Sequence, residues 1–167
     1  MKTKILCALV AVMFAVPLAG QTSKPKYGVT VETEKGVDYA AFKTYSWTKG
    51  QPSFDRDIDK MITEAVDREL SGLGMKKAAD GAAGDVLAAY YSVSRTDVDV
   101  NAKADAAGMR PEQAVGTLMV ALLDPKSRDR VIRIRIDKPI EAARAQLKPV
   151  IDEAVTEMFA KYPTRGK

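Results

Sequence analysis

The 167-residue chain contains no histidine and only one cysteine, Cys7. Histidine supplies the imidazole of Ser-His-Asp triads, of Cys-His pairs and of many metal sites, so the sequence excludes these centres. Cys7 lies in an N-terminal segment that we expect to be removed, which leaves the mature chain without a thiol nucleophile or a disulfide. Imidazole and thiol chemistry are therefore excluded, whereas carboxylate, tyrosine and arginine chemistry are not.

The first 20 residues have the pattern of a secretory signal peptide. Two lysines precede an uncharged apolar run, Ile5–Val16, which is shorter than the ~20 residues of a membrane span. Leu18-Ala19-Gly20 resembles the start of a bacterial lipobox, but Gln21 stands where the lipid-bearing cysteine would follow. We expect cleavage near Gly20/Gln21 and export to the periplasm without a lipid anchor. A retained N-terminal anchor helix is the alternative.

Removal of this segment makes the chain nearly neutral. Residues 1–20 hold two of the 26 basic residues and none of the 22 acidic ones, which leaves 24 against 22. A strong attraction to nucleic acid is therefore not expected. We expect a flexible lead-in at 21–26, a single domain at 27–163 and a short tail at 164–167.

Apolar periodicity predicts an α+β domain with the element order ββαβββα. Period-two alternation and β-branched residues predict five strands. The first strand begins at residue 27, and the other four cover 43–47, 85–98, 116–123 and 130–136. Helical spacing predicts a helix at 55–73 and a second one that Asp137 would cap, with Pro139 in its first turn and Pro149 kinking it. The expected architecture is an antiparallel sheet of about five strands with two helices packed on one face.

The aromatic residues suggest which sheet face is covered. We expect Trp47 and Phe42 to seal the sheet against a helix. Tyr90 and Tyr91 are adjacent on one strand and point to opposite faces, so only one of them can belong to a one-sided core.

Five stretches carry a family resemblance. They are Val37–Trp47 (VDYAAFKTYSW), Glu69–Met75, Gly84–Tyr91, Gly116–Asp124 and Phe159–Pro163. Together with the element order, they resemble the bacterial DUF4136 family of domains of unknown function, over about residues 27–163.

The chain departs from the family pattern at two places. Such proteins are often lipoproteins, and Gln21 replaces the cysteine that would carry the lipid. A tryptophan is frequent in the strand after the last hairpin, where Ile132 or its neighbours stand here. The resemblance implies a secreted or envelope protein, and it supplies no established activity and no catalytic residues.

One acidic stretch is a candidate calcium loop. Asp97, Asp99, Asn101 and Asp105 occupy the first, third, fifth and ninth positions of a D-x-D-x-N loop, whose oxygens would converge on one hard cation. The sixth position is alanine instead of glycine, and the twelfth is glycine instead of glutamate. The alternative is a strand end whose alternate acids share one solvated face. We assign no cofactor.

Arginines on the last strand form a candidate binding face. Arg133 and Arg135 alternate with Ile132 and Ile134 and therefore face away from the predicted core, with Tyr91 on a strand of the same face. They could meet anionic lipid, peptidoglycan carboxylates or an acidic partner. The alternative is an ordinary solvated sheet face. In either case we expect both arginines to be dispensable for folding.

The sequence favours a non-enzymatic module of the cell envelope that binds an envelope protein or polymer. A small-ligand carrier and, less favoured, a carboxylate-based hydrolase are the alternatives. A buried, unpaired acid in a deep pocket would favour the enzyme, and a deep apolar pocket the carrier. A filled core with an exposed basic face would favour the binding module.

Overall fold

A computed structural model describes residues 27–140 and 146–165. The predictions for the signal peptide, for Gln21 and for the lead-in fall outside the described residues, as does the end of the tail. The elements are β1 (Gly28–Thr33), β2 (Thr44–Trp47), α1 (Arg56–Gly72), β3 (Lys76–Lys77), β4 (Val86–Val98), β5 (Glu112–Leu123), β6 (Arg130–Pro139) and α2 (Leu147–Phe159).

The strands form one mixed sheet in the order β1-β6-β5-β4-β2-β3. The α+β class with two helices is confirmed. The all-antiparallel sheet of about five strands is wrong in detail, because β2 pairs in parallel with both β4 and β3. The chain leaves β2 through α1 and returns in the same direction, and such a crossover connects parallel strands. The sixth strand, β3, is only two lysines long and has no apolar pattern that would predict it.

A connection of small residues carries the chain from β3 across β2 to β4. A Cβ on Gly84 would lie 2.6 Å from the backbone of Tyr45, so only glycine fits at this close approach. The Gly84 N–H donates to Ser46 Oγ at 3.3 Å. Asp85 then accepts the backbone N–H groups of Lys43 and Thr44 at 2.8 and 2.9 Å. The Ala- and Gly-rich sequence of 78–84 therefore serves a tight crossing over β2.

The core lies between the sheet and the two helices. Alternate residues of the central strands face it, as the run Ile132, Ile134 and Ile136 on β6 shows. α1 contributes the predicted stripe that includes Ile62 and Leu70. Asp55 caps this helix, and its side chain accepts two backbone N–H groups of the first turn, as expected for an N-cap.

The end of β6 and the start of α2 differ from the prediction. Asp137 is a buried residue of β6 rather than a helix cap, and Pro139 ends that strand, where its missing N–H is tolerated. α2 begins ten positions after Asp137, and its N-cap residue, Gln146, makes no side-chain cap bond. Pro149 then lies in the first turn of a continuous helix, where proline does not interrupt the hydrogen bonding.

Aromatic packing follows the prediction in outline. Tyr90 is buried on the helix side, whereas Tyr91 is half-buried on the other face. Phe42 and Trp47 are half-buried and pack against the core. Trp47 Nε1 and the hydroxyl of the fully buried Tyr45 both donate to one α1 carboxylate oxygen, Asp67 Oδ1, each at 2.8 Å. These two bonds tie β2 to α1.

Candidate functional site

The described helices leave one face of the sheet uncovered, and arginines dominate its charge. Cross-strand pairing aligns Tyr91 of β4 with Met119 of β5, and Met119 with Arg135 of β6. Side chains directly opposite each other project on the same side of a sheet. We call this surface the arginine face. Its charged residues are Arg95, Arg130, Arg133, Arg135, Glu32, Asp97 and Asp137.

Two arginines share the carboxylate of Glu32, which lies on the edge strand β1. Arg130 approaches Glu32 Oε2 at 3.0 Å, and Arg133 donates to Oε1. The hydrogen bond from Arg133 lowers the pKa of Glu32. All three side chains are well exposed, so this cluster contributes little to folding.

A second pair of arginines shares Asp137, whose side chain is only 9% exposed. Arg135 donates from Nε to Oδ2 at 2.6 Å and from Nη2 to Oδ1 at 2.9 Å. Arg95 Nη1 and the Thr117 hydroxyl donate to Oδ1 at 2.8 and 2.6 Å. The hydrogen bonds from Arg135 hold the pKa of Asp137 far below its usual range, although burial acts in the opposite direction. Asp137 therefore anchors the centre of this cluster as a buried anion.

Arg95 extends the cluster towards the far end of β4. Its Nε donates to Asp97 Oδ1 at 3.0 Å. The hydroxyl of Tyr27 lies 3.4 Å from the other oxygen of Asp97 and accepts a hydrogen bond from Gln113 Nε2 at 2.8 Å. The next residue, Gly28, begins β1 with a φ of +115°, which glycine adopts without strain.

Around Asp137 the outer charges of the arginine face are positive, whereas around Glu32 the acid is the more exposed group. The side chains of Arg95 and Arg135 are 36% and 43% exposed, against 18% and 9% for Asp97 and Asp137. The side chain of Glu32 is 46% exposed and that of Arg133 is 32% exposed. Guanidinium groups thus lie above Asp97 and Asp137, beside Tyr91 and Met119.

The structure brings the sequence-predicted binding residues onto one surface. Tyr91 and Arg135 share a row through Met119, and Arg133 lies in the next outward row, opposite Ala121. Sequence reasoning missed Met119 and Arg95, although period-two counting along β4 and β5 would have placed both on this face. It also misses the role of Asp137, because the sequence around this residue has the pattern of a helix cap.

The structure does not assemble the candidate calcium loop. Asp97 pairs with Arg95. Asp99 accepts the backbone N–H groups of Asn101 and Ala102, and Asp105 accepts those of Ala107 and Met109. Asn101 therefore takes part in this turn through its backbone N–H group. No group of three acidic residues within 27–140 and 146–165 is placed to hold a metal ion. The aspartate spacing instead reflects turns closed by carboxylate-to-backbone bonds.

The layer between sheet and helices is filled by side chains such as Tyr45, Leu70 and Phe159. An open cleft of about 510 Å³ lies elsewhere, at the crossing over β2, lined by Ser46, Trp47, Lys77 and the small residues 78–83. None of the helices among the described residues is long and apolar enough to cross a membrane.

Comparison with known proteins gives a family and a shared fold. Residues 29–164 match DUF4136, a domain of unknown function. No curated protein matches the chain in sequence.

Two solved structures share the fold. A PDZ domain protein from Parabacteroides distasonis superposes with a TM-score of 0.56 at 17% identity, over 82% of this chain and 35% of its own length. The chain thus spans about a third of that protein. PelC from Paraburkholderia phytofirmans, solved as a dodecamer, superposes with a TM-score of 0.53 at 10% identity, over 81% of this chain and 95% of PelC.

Proposed function

The chain belongs to the DUF4136 family, and we propose that it is a non-enzymatic binding module of the cell envelope that holds an acidic protein partner on its arginine face. The envelope location is taken from the signal-peptide pattern of residues 1–20. The binding surface is taken from the geometry of the sheet.

The observation that carries the proposal is that two carboxylates of the face are each shared by two arginines. Glu32 lies between Arg130 and Arg133, and Asp137 between Arg95 and Arg135. A guanidinium has five N–H donors, so one carboxylate that two arginines share cannot accept hydrogen bonds from all the donors of both. Donors remain for carboxylates of another molecule, and held side chains lose less conformational freedom on binding.

The uncharged residues of the face suit a protein partner. Tyr91 and Met119 are half-buried beside Arg135. Tyrosine, methionine and arginine are enriched at protein interfaces relative to the rest of the surface, whereas lysine and glutamate are depleted. Charge complementarity would fix the orientation of the partner and speed its association at low salt.

The two alternatives have less support. A carrier between sheet and helices needs space that side chains such as Leu70 and Phe159 fill; its ligand would have to use the open cleft beside Trp47. A carboxylate-based hydrolase needs acids free to exchange protons. The buried acids Asp137 and Glu69 are instead held by arginines and hydroxyl groups.

The test is site-specific photo-crosslinking in cells that produce the protein. A photoreactive residue replaces Met119 on the arginine face or, as a matched control, the exposed Glu64 on α1. We expect a discrete crosslinked protein from position 119 and not from position 64. The crosslinked peptide should be rich in aspartate and glutamate, and the yield in extracts should fall with salt.

Arg133→Gln serves as the second test, because among the described residues this arginine pairs only with the exposed Glu32. The variant should keep the wild-type melting temperature and lose most of the crosslink. Equal crosslinking from both positions, no crosslink at position 119, or a product that Arg133→Gln leaves unchanged would each contradict the proposal. Because PelC was solved as a dodecamer, a crosslink to a second copy of this chain is a further outcome that would replace the acidic partner by self-association.

A further inference from the structure

The β4–β5 hairpin projects beyond the rest of the sheet. Its strands stay paired as far as Val98 and Glu112, whereas the last residue of β6, Pro139, is paired with Val115. The three further pairs extend about 10 Å, at roughly 3.3 Å per residue. We call residues 96–114 the arm and residues 99–111 its tip.

Hydrogen bonds within the tip give it a defined shape. The Asp99 N–H donates to Pro111 O at 2.8 Å and closes the base of the loop. Asp105 N–H donates to Met109 O at 2.7 Å, and Gly108 adopts the φ of +79° that this turn requires. Both aspartate side chains accept backbone N–H groups of the tip. The two carboxylates are thus directed onto their own loop.

The exposed side chains of the tip include one large apolar group and two cations beside the acid Asp105, which is bonded to its own loop. Met109 is 68% exposed, and Val98 at the base is 50% exposed. Lys103 and Arg110 are exposed and have no carboxylate partner among the described residues. Four of the other ten residues of the tip are alanine.

We propose that the tip of the arm docks on an anionic phospholipid surface, with Met109 inserted among the lipids and Lys103 and Arg110 against the phosphates. A methionine buried at the boundary between headgroups and acyl chains gains hydrophobic free energy. Basic residues near an anionic leaflet add electrostatic attraction. The interaction is separate from the arginine face and does not depend on its partner.

The shape of the tip favours a lipid surface over a protein. A stable protein interface buries about 800 Å² on each partner around an apolar core. A convex loop with one large apolar side chain offers much less. Weak, reversible attachment to a membrane instead needs only a small inserted apolar group combined with basic residues beside it. Lys103, Met109 and Arg110 form such a combination.

The test is flotation of the purified protein with vesicles. The wild type and every variant are prepared with the same N-terminus, which is verified by intact mass. The probes are vesicles of phosphatidylglycerol with phosphatidylethanolamine, and vesicles of phosphatidylcholine alone. We expect binding to the anionic vesicles that weakens with salt. Binding should fall about tenfold in Met109→Ser, and by about fivefold or more in a Lys103→Gln/Arg110→Gln variant.

Phe54→Ser is the matched control, because Phe54 is a fully exposed apolar residue outside the arm whose loss should leave binding unchanged. Lys35→Gln/Lys161→Gln controls for the removal of two exposed cations elsewhere. Arg133→Gln should bind vesicles like the wild type, which separates this inference from the proposed function. Absence of binding, equal binding to phosphatidylcholine, or equal losses in the arm variants and their controls would overturn the inference.

Discussion

Replacing Tyr162 by phenylalanine should make the domain more stable. The side chain is 1% exposed. Its ring stacks on Phe159 with centroids 6.3 Å apart and meets Tyr39 edge-on at 6.0 Å. Its hydroxyl oxygen is buried and has no hydrogen-bond partner among the described residues. Burial also raises the pKa of this phenol above its ordinary value, so the group stays neutral throughout the accessible pH range.

The size of the expected gain in stability follows from the Tyr162 hydroxyl, which has no hydrogen-bond partner among the described residues. A buried polar group without a partner costs about 1–3 kcal/mol relative to its hydrated state. Tyr162→Phe removes that cost and keeps the ring contacts, so we expect a gain of about 1 kcal/mol. For a domain of this size, such a gain raises the melting temperature by roughly 3–5 °C.

Tyr45→Phe is the matched control, since Tyr45 is equally buried and loses the same atom. Its hydroxyl donates to Asp67 Oδ1 at 2.8 Å, and a hydrogen bond to a charged group contributes about 1.5–3 kcal/mol. Tyr45→Phe should therefore lower stability by about 2 kcal/mol. Urea and thermal unfolding of both variants decide the matter. If Tyr162→Phe is destabilised as much as Tyr45→Phe, the Tyr162 hydroxyl has a partner and the reasoning is refuted.

Four further outcomes are expected. Asp137→Asn should be less stable at neutral pH. Because arginine hydrogen bonds lower the folded pKa of this carboxyl, its contribution is complete above the unfolded value of about 3.9 and is lost as the pH falls below it. The variant should therefore show a flatter acid limb in urea unfolding across pH. Ile151→Asp places a charge against the core that Ile151 packs on and should cost about 3 kcal/mol or more, whereas Arg133→Ala should change the melting temperature little; similar shifts would mean that the faces are wrongly assigned. Gly84→Ala, whose Cβ would lie 2.6 Å from backbone atoms of β2, should cost more than about 1 kcal/mol in thermal unfolding. Intact mass of exported protein should show the loss of residues 1–20, and a retained Met1 or an attached lipid would contradict the signal-peptide prediction.

Local patterning predicted those elements whose residues alternate or repeat clearly. The alternation around Ile134 predicts β6 and its buried face correctly, and helical spacing predicts α1 to within one residue at each end, although Asp55 is its N-cap and not its first helical residue. The same local rules failed at Asp137. An aspartate two residues before a proline has the pattern of a helix start, but Arg95 and Thr117 hold it in the strand from β4 and β5. These partners are distant in sequence, so only the assembled sheet shows them.

The parallel part of the sheet was beyond local prediction for a related reason. β2 pairs with β4 across the whole of α1, and β3 is a pair of lysines that follows the helix. Neither pairing produces a periodic pattern of apolar residues in the sequence. The composition of residues 78–84 does contain a signal, since a run of alanine and glycine suits a close crossing over another strand.

The two arginines of the predicted binding face are not equivalent in the structure. Within residues 27–140 and 146–165, Arg133 pairs with the exposed Glu32 alone, so its removal costs little. Arg135 makes two hydrogen bonds to Asp137, whose side chain is 9% exposed, and its loss would leave a buried anion with fewer donors. We therefore expect Arg133, and no longer Arg135, to be dispensable for folding. A binding defect in Arg135→Gln would mix lost contacts with a loosened sheet, whereas the same defect in Arg133→Gln at an unchanged melting temperature isolates the contact with the partner.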